Sequence, residues 1–467
     1  MMTSTSKSLF MVNGQKSWKA TIQEEVEKFN GDKEEKQFEK RSIYHLPPFA
    51  EKMKSETLLT PQVVSFGPYH HGKQNLMLVE GYKKTALIHF LVNAGQSLQY
   101  FIDEMKYHVN DLQACYEFLE EEWQDKDKFI KLMITDGCFM LELLRIDKNQ
   151  PVKTPYAKHD PIFSDHATEH KLLHIKRDML MLENQLPLLV LKVLHQEKTD
   201  KKINKLVFKF FDMEYMLDTT PDQLGLHVLD LYRKGLIATQ TDPSAAPAFT
   251  NNTSISIAQE NRAQPPQSAA NIYPVESDND VPMLSAMKLH QSGVKFVKAS
   301  NEINNKKITG ITFEKGILKL PYFIIDDATE STLLNLMAFE HLHVGLQDEV
   351  TSYVCFMDEL IDSADDVHLL RSKKIIHMAV GSDQAAADLL NSLTKEVTHD
   401  PKGKIQEVRE MVKKYSGKNW NRWLADLLHL HFETPWKTLA AVAAVLLLVL
   451  TVVQTLYAVL SYHHSSK

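Results

Sequence analysis

Between Leu439 and Leu460 the chain runs twenty-two positions without a charged side chain, and it ends seven residues later. As a helix rising about 1.5 Å per residue, such a run would be about 33 Å long, enough for a hydrocarbon core of about 30 Å. Its polar side chains, Thr451, Gln454 and Thr455, are grouped, and a helix tolerates them because its backbone groups bond internally. Trp436 stands at one end and Tyr457 and Tyr462 at the other, as amphipathic rings do at an interface. The run therefore predicts a single-pass transmembrane helix over 436–460 with a short tail at 461–467, and the lipid bilayer as one partner. A span this close to the C-terminus leaves the ribosome only after synthesis stops, which describes a tail-anchored protein of the plasma membrane or an endomembrane. Lys413, Lys414, Lys418, Arg422 and Lys437 precede the run and only Lys467 follows it, so the positive-inside rule places the large N-terminal body in the cytoplasm. Ala440 and Ala444 form a small-residue pair suited to weak self-association of the span.

The preceding residues have the composition of a packed protein. The chain has 467 residues, 43% of them hydrophobic, enough for a large helical body or several domains. A net charge of −7 and short, balanced basic stretches argue against nucleic acid as a partner. Cys115, Cys138 and Cys355 are too few and scattered for a disulfide framework or a thiolate zinc cage, and read as buried free thiols. The N-terminus has no apolar run of signal-peptide length.

Periodicity predicts a mainly α-helical, multi-helix body. Residues 1–41 are charge-rich and read as a solvated arm. Residues 42–237 form the first part of the body, where Ile130, Met133, Ile134, Gly137, Cys138, Leu141 and Leu144 recur at helical spacing. The stretch from Asp178 to Leu191 is apolar nearly all round, and Pro187 would kink or end its first half. Residues 238–281 turn abruptly to Pro, Ser, Ala, Asn, Gln and Thr, the composition of a disordered linker or insertion. Asn251 and Asn252 in it both fit the glycosylation sequon. Residues 282–434 form the second part, with a small β-hairpin over 308–322 around Gly316 and a helix opening near Asp326 to Thr332. Trp420, Trp423, Leu424, Leu427 and Leu428 mark a last amphipathic stripe, suited equally to a lipid interface or to core packing.

A search for chemistry returns mostly absences. No nucleophile elbow, zinc-protease signature, dinucleotide or phosphate loop, or paired-cysteine motif occurs, and no catalytic residue, metal or cofactor is assigned. His166, His170 and His174 would share one helix face at a spacing that suits zinc, but no general base stands at a recognised distance. His70 and His71 lie between Gly67-Pro68 and Gly72, which favours a turn with side chains fixed by hydrogen bonds. Glu183, Asn184 and Gln185 amid apolar neighbours favour a buried network holding helices in register over a catalytic carboxylate.

Four segments carry a further signal together: Thr60 to Gly72, Asp136 to Glu142, Arg177 to Pro187, and Ile324 to Ser331. In order and spacing they resemble the plant family catalogued as domain of unknown function 247, from about Ser42 to Leu460. Phe66 stands where an aliphatic residue is commoner in that family, Lys84 replaces a frequent tryptophan, and the linker from Ala238 is long. The resemblance implies a C-terminal membrane helix and supplies no established catalytic residues. Some grass members are implicated as pollen-side determinants of self-incompatibility, a role that would set the body outside the cell, opposite to the charge-based orientation.

The expected function is thus a membrane-anchored recognition or adaptor module with an unidentified protein partner. The alternative is an unrecognised membrane-bound hydrolase or metalloenzyme using His70, His71, Asp136 or the row from His166 to His174.

Overall fold

A computed structural model describes residues 18–28, 38–46, 56–146, 156–196, 199–238, 282–299, 307–379, 381–395, 403–417, 443–444 and 446–457. Helix α1 (Trp18–Lys28) precedes the body. The first part of the body is built around α4 (Lys126–Leu144), in which every residue from Gly137 to Leu144 is buried. Asp125 caps its first turn by accepting from the Asp127 and Lys128 N–H groups. Around α4 pack α2 (Met77–Ala94), α3 (Leu98–Ala114), α6 (Leu188–His195) and α7 (Asp200–Phe210). Helix α6 comes so near that a Cβ at Gly137 would stand 2.6 Å from both Val190 and Leu194. Two further helices, α5 (Asp165–Met179) and α8 (Val228–Ile237), belong to this part, with single helical turns at Glu56–Leu59 and Glu121–Gln124.

The structure ends α5 at Met179 and starts α6 only at Leu188, with Pro187 immediately before it. The apolar stretch from Asp178 is therefore not one kinked helix. Its intervening residues are irregular and buried, and polar side chains take up their backbone groups.

The second part comprises α9 (Ala286–Gln291), α10 (Thr329–Leu342), α11 (Glu349–Leu360), α12 (Ala364–Ser372), α13 (Asp383–Leu393) and α14 (Gly403–Ser416). Its strands are β1 (Lys295–Lys298), β2 (Thr312–Glu314), β3 (Ile317–Leu320), β4 (Phe323–Ile325) and β5 (Ile376–Met378). Antiparallel β2 and β3 make a hairpin whose two turn residues, Lys315 and Gly316, both have positive φ, the primed turn that matches strand twist. It is shorter than the expected 308–322, because residues 308–310 form a 3₁₀ turn and Pro321 has no N–H to continue β3. Strand β1 joins β3 in parallel, and β4 and β5 form a separate parallel pair across the α10 to α12 excursion.

A mainly helical body with few strands is what the structure contains; the membrane helix is a correction. Among the described residues no helix is long and apolar enough to cross a membrane. Within Leu439–Leu460 the described helical residues are 443–444 and 446–457. The single-pass anchor, the membrane localisation and the cytoplasmic orientation inferred from it are overturned. The linker after Ala238, Asn251, Asn252 and the Trp420 stripe lie outside the described residues.

One hydrophobic core runs through both parts, from Ile43 to Val412. A buried carboxylate, Glu340 on α10, helps to join them. Its Oε1 accepts from Arg233 Nε of α8 at 2.8 Å and from Val350 N at 2.9 Å, and its Oε2 from Thr351 N at 2.9 Å and Thr351 Oγ1 at 2.8 Å. The Arg233 guanidinium also meets Glu349 and donates to the Gln347 carbonyl. Glu340 thereby caps the first turn of α11 and neutralises a buried cation of the other part. Glu340→Ala should strand Arg233 beside the half-buried Glu349 and cost about 3–5 kcal/mol, read as a lowered urea midpoint. A loss below about 1 kcal/mol would contradict the assigned role.

Candidate functional site

Three of the four segments singled out in the sequence meet beneath one turn. Residues 60–72 run irregularly over the body, and the N–H groups of Gln62, Val63, Val64, Phe66 and Gly67 are satisfied by side chains from elsewhere. The Asp178 carboxylate accepts from Gln62, Val63 and Val64, the shortest contact being 2.7 Å to Val63 N. Asn184 Oδ1 accepts from Phe66 N at 2.6 Å, while Asn184 Nδ2 donates to the carbonyls of Val64 and Asp178. Asp136 on α4 accepts from Gly67 N at 2.9 Å through Oδ2 and from Lys83 Nζ at 2.8 Å through Oδ1.

Lys83 is fully buried on the inner face of α2. Its ammonium also donates to the Ser65 carbonyl at 2.6 Å and lies 2.6 Å from Glu80 Oε1. A buried cation is tolerable only with such partners. Burial pushes the Asp136 carboxyl up, and Lys83 and the Gly67 N–H pull against it. Gly67 itself is obligatory here. Its φ is +72°, and a Cβ would stand 2.7 Å from the Gln185 carbonyl oxygen and 2.9 Å from the Tyr116 hydroxyl.

A second strip of chain, residues 41–46, crosses beside this turn. Ser42 N and Ile43 N both donate to the Cys115 carbonyl, and Glu117 N donates to Ile43 O. Leu46 N donates to Glu183 Oε1 at 2.8 Å, and His45 Nδ1 lies 3.2 Å from the same oxygen. An ionised carboxylate only accepts, so His45 carries its proton on Nδ1. Burial pushes Glu183 upward, but His45, His70 and the Leu46 N–H outweigh it and bring its pKa down to about 2. The hydrogen bond to Glu183 raises His45. The His70 ring is buried, with Nε2 3.2 Å from Glu183 Oε2, within ion-pair distance but without hydrogen-bond alignment.

A family model described as a plant protein of unknown function matches residues 43–450. The chain belongs to that family. It is 29% identical over 437 residues to UPF0481 protein At3g47200 of Arabidopsis thaliana, covering 87% of this chain and 84% of the relative. It is 24% identical over 474 residues to the putative UPF0481 protein At3g02645 of the same plant, covering 85% and 86%. No solved structure matches. The family description assigns no activity.

The remaining candidates separate from this network. His71 leans edge-on to Trp123 and lies 3.8 Å from Glu80, outside the buried cluster. His166 and His170 meet ring to ring on α5, with His174 exposed further along, and among the described residues no group of three potential ligands is placed to hold a metal. The fourth segment contributes through α10, where Ser331 Oγ donates to the Leu58 carbonyl and Asn335 Oδ1 accepts from Leu182 N. Asp136, Glu183, Asn184 and Gln185 thus bond to backbone groups, and the two carboxylates also to Lys83 and His45, which positions the turn.

Sequence reasoning did not single out two contributors. Lys83 is one, although Val79, Lys83, Ala86 and Phe90 share the buried face of α2 and put the lysine in an apolar row. The other is the outer face of that helix, where Met77, Leu78, Gly81, Thr85, Ile88 and Val92 are exposed, Leu78 by 73% and Val92 by 64%. The spacing from Leu78 through Gly81, Thr85 and Ile88 to Val92 alternates three and four, so these residues form one stripe. Helix α2 is held from beneath by ions and carries an apolar stripe on top, with exposed Lys84 at its edge.

The strip 41–46 also carries a pH-sensitive tie. His227, wholly buried, donates from Nε2 to Ser42 O at 2.9 Å and accepts on Nδ1 from Asp230 N at 3.2 Å, capping α8. A ring accepting on one nitrogen must be neutral there. Burial lowers its pKa from 6.5 to about 4. Its stabilising contribution is complete above about pH 6.5 and is lost as pH falls through about 4, amounting to about 3 kcal/mol. In His227→Gln, which keeps a donor for Ser42 but cannot titrate, the fall in unfolding free energy between pH 6.5 and 4 should be shallower by about that amount. Parallel pH profiles would refute the assignment.

Proposed function

We propose that this chain is a protein-recognition module whose docking face is the outer side of α2, and that the occupant is an amphipathic helix of a partner protein. The observation that carries the reading is the exposed stripe Leu78, Gly81, Thr85, Ile88 and Val92. A surface helix of a globular protein normally turns polar residues outward, and a sustained apolar stripe on a rigid helix is the geometry of helix-in-groove recognition. Small Gly81 and Thr85 lie between the larger Leu78 and Ile88, leaving a shallow saddle for a partner's branched side chain.

The support beneath suits the purpose. Because Lys83, Glu80 and Asp136 pin the inner face of α2, the outer face is presented without the loss of ordering freedom on binding. The reading requires no catalytic group. Self-incompatibility, which the resemblance implies for some grass members, is a narrower case of it and rests on that resemblance alone.

Ile88→Glu combined with Val92→Glu leaves the core untouched, so folding stability should stay within about 0.5 kcal/mol. The same variant should lose at least about tenfold in affinity, about 1.4 kcal/mol, for proteins that the full chain labels by proximity in its own tissue. Undiminished labelling by the variant would discard this face as the recognition surface.

A further inference from the structure

The body is not alone in leaving an apolar helix face without a partner. Helix α1 carries Trp18, Ile22 and Val26 at spacings of four, and all three face solvent, by 71%, 49% and 63%. One chain thus holds two amphipathic stripes, each lacking the surface it needs, and one lies upstream of the body. We infer that α1 is an intramolecular occupant of the outer face of α2, seating Trp18, Ile22 and Val26 along the stripe from Leu78 to Val92 and covering it until a partner helix displaces it. The inference rests on the reading of that face as the recognition surface.

Three features of the chain single out this occupant. The first is reach. Lys28 ends α1, and described chain resumes at Phe38, so the tether extends at most about 36 Å at about 3.6 Å per residue. It enters the body where Lys40 Nζ bonds Asp111 at 2.7 Å near the end of α3, and where Tyr69 bonds Ile43 O and stacks on His45. Tyr69 precedes the first residue of α2 by eight positions. The full length of α2 is about 27 Å at about 1.5 Å per residue. That reach exceeds the length of α2, and the docked arrangement sets the C-terminal end of α1 at the N-terminal end of α2.

The second is register. That arrangement makes the two helices antiparallel, with Val26 over Leu78, Ile22 over the Gly81 and Thr85 saddle, and Trp18 near Ile88. Trp18 to Val26 covers about 12 Å, which fits within the about 21 Å from Leu78 to Val92. The third is charge. Exposed Glu27 falls in the C-terminal half of α1, the half set at the N-terminal end of α2, which exposed Lys73 precedes by four positions, and exposed Lys84 lies mid-way along α2. Tethering gives α1 an effective concentration on the order of millimolar, so weak intrinsic affinity is enough to cover the face and still yield to a partner.

The test uses the full chain carrying Ile22→Cys and Thr85→Cys, oxidised and mapped by peptide mass spectrometry. A disulfide between positions 22 and 85 within one chain is expected, because docking brings the two backbones within the few ångströms that the bond allows. Ile22→Cys paired with Tyr107→Cys, exposed on α3, should give none. Equal yields from both pairs, or a 22–85 bond only between chains, would overturn the inference, the latter by making a second copy the occupant.

A second readout needs no cysteine. A labelled peptide of residues 16–30 should bind a Trp18→Glu, Ile22→Glu full chain at least about tenfold more tightly than the parent chain, whose own α1 competes. Equal affinities count against docking. If the 22–85 bond forms while Ile88→Glu, Val92→Glu leaves partner labelling intact, the recognition reading fails and α1 keeps its place. If labelling is lost and no such bond forms, the recognition face stands and α1 is not its occupant.

Discussion

The ion pair between Lys83 and Asp136 sets the terms for the rest of this structure. Both side chains are removed from water, and the attraction between them offsets the desolvation only because Ser65, Glu80 and the Gly67 N–H complete their bonding. That requirement brings α2, α4 and the irregular run 60–72 into one arrangement. The run has little regular structure of its own, so its backbone groups would be unsatisfied beneath the surface without Asp136, Asp178 and Asn184. A purely apolar interface would have allowed α2 to slide or rotate. The charged bonds fix its register and, through it, which residues face outward.

Much of this was legible in the residues, and the limits have physical causes. Glu183, Asn184 and Gln185 stood out as polar groups in an apolar stretch, and the structure makes them the buried network that such an arrangement favours. The turn around His70 and His71 followed from its glycines and proline, and the helical period of α4 from its apolar spacing. The strands β1, β4 and β5 were not foreseen, because three or four residues carry too short a pattern to separate strand from loop, and parallel pairing depends on partners far away in sequence. Lys83 and Glu340 escaped notice for a related reason. A charged residue in a helical window reads as solvated until the opposite charge facing it is known.

The C-terminal run shows the opposite error. An uncharged stretch reports hydropathy, which is a necessary condition for a span and not a sufficient one. Among the described residues no helix is long and apolar enough to cross a membrane. Apolar character alone also hid the outer stripe of α2, since a helix that is apolar on both faces looks from its sequence like one that is buried on both.

The strip 41–46 has a consequence for the order in which this protein can be made. Its residues are held by partners at Cys115, Glu183, His227 and His343. It cannot finish docking until some three hundred later residues, as far as His343, have been made, about 15–60 s at about 5–20 residues per second. During that interval the strip is an unclasped length of chain, so a segment made before its partners is fastened only after them.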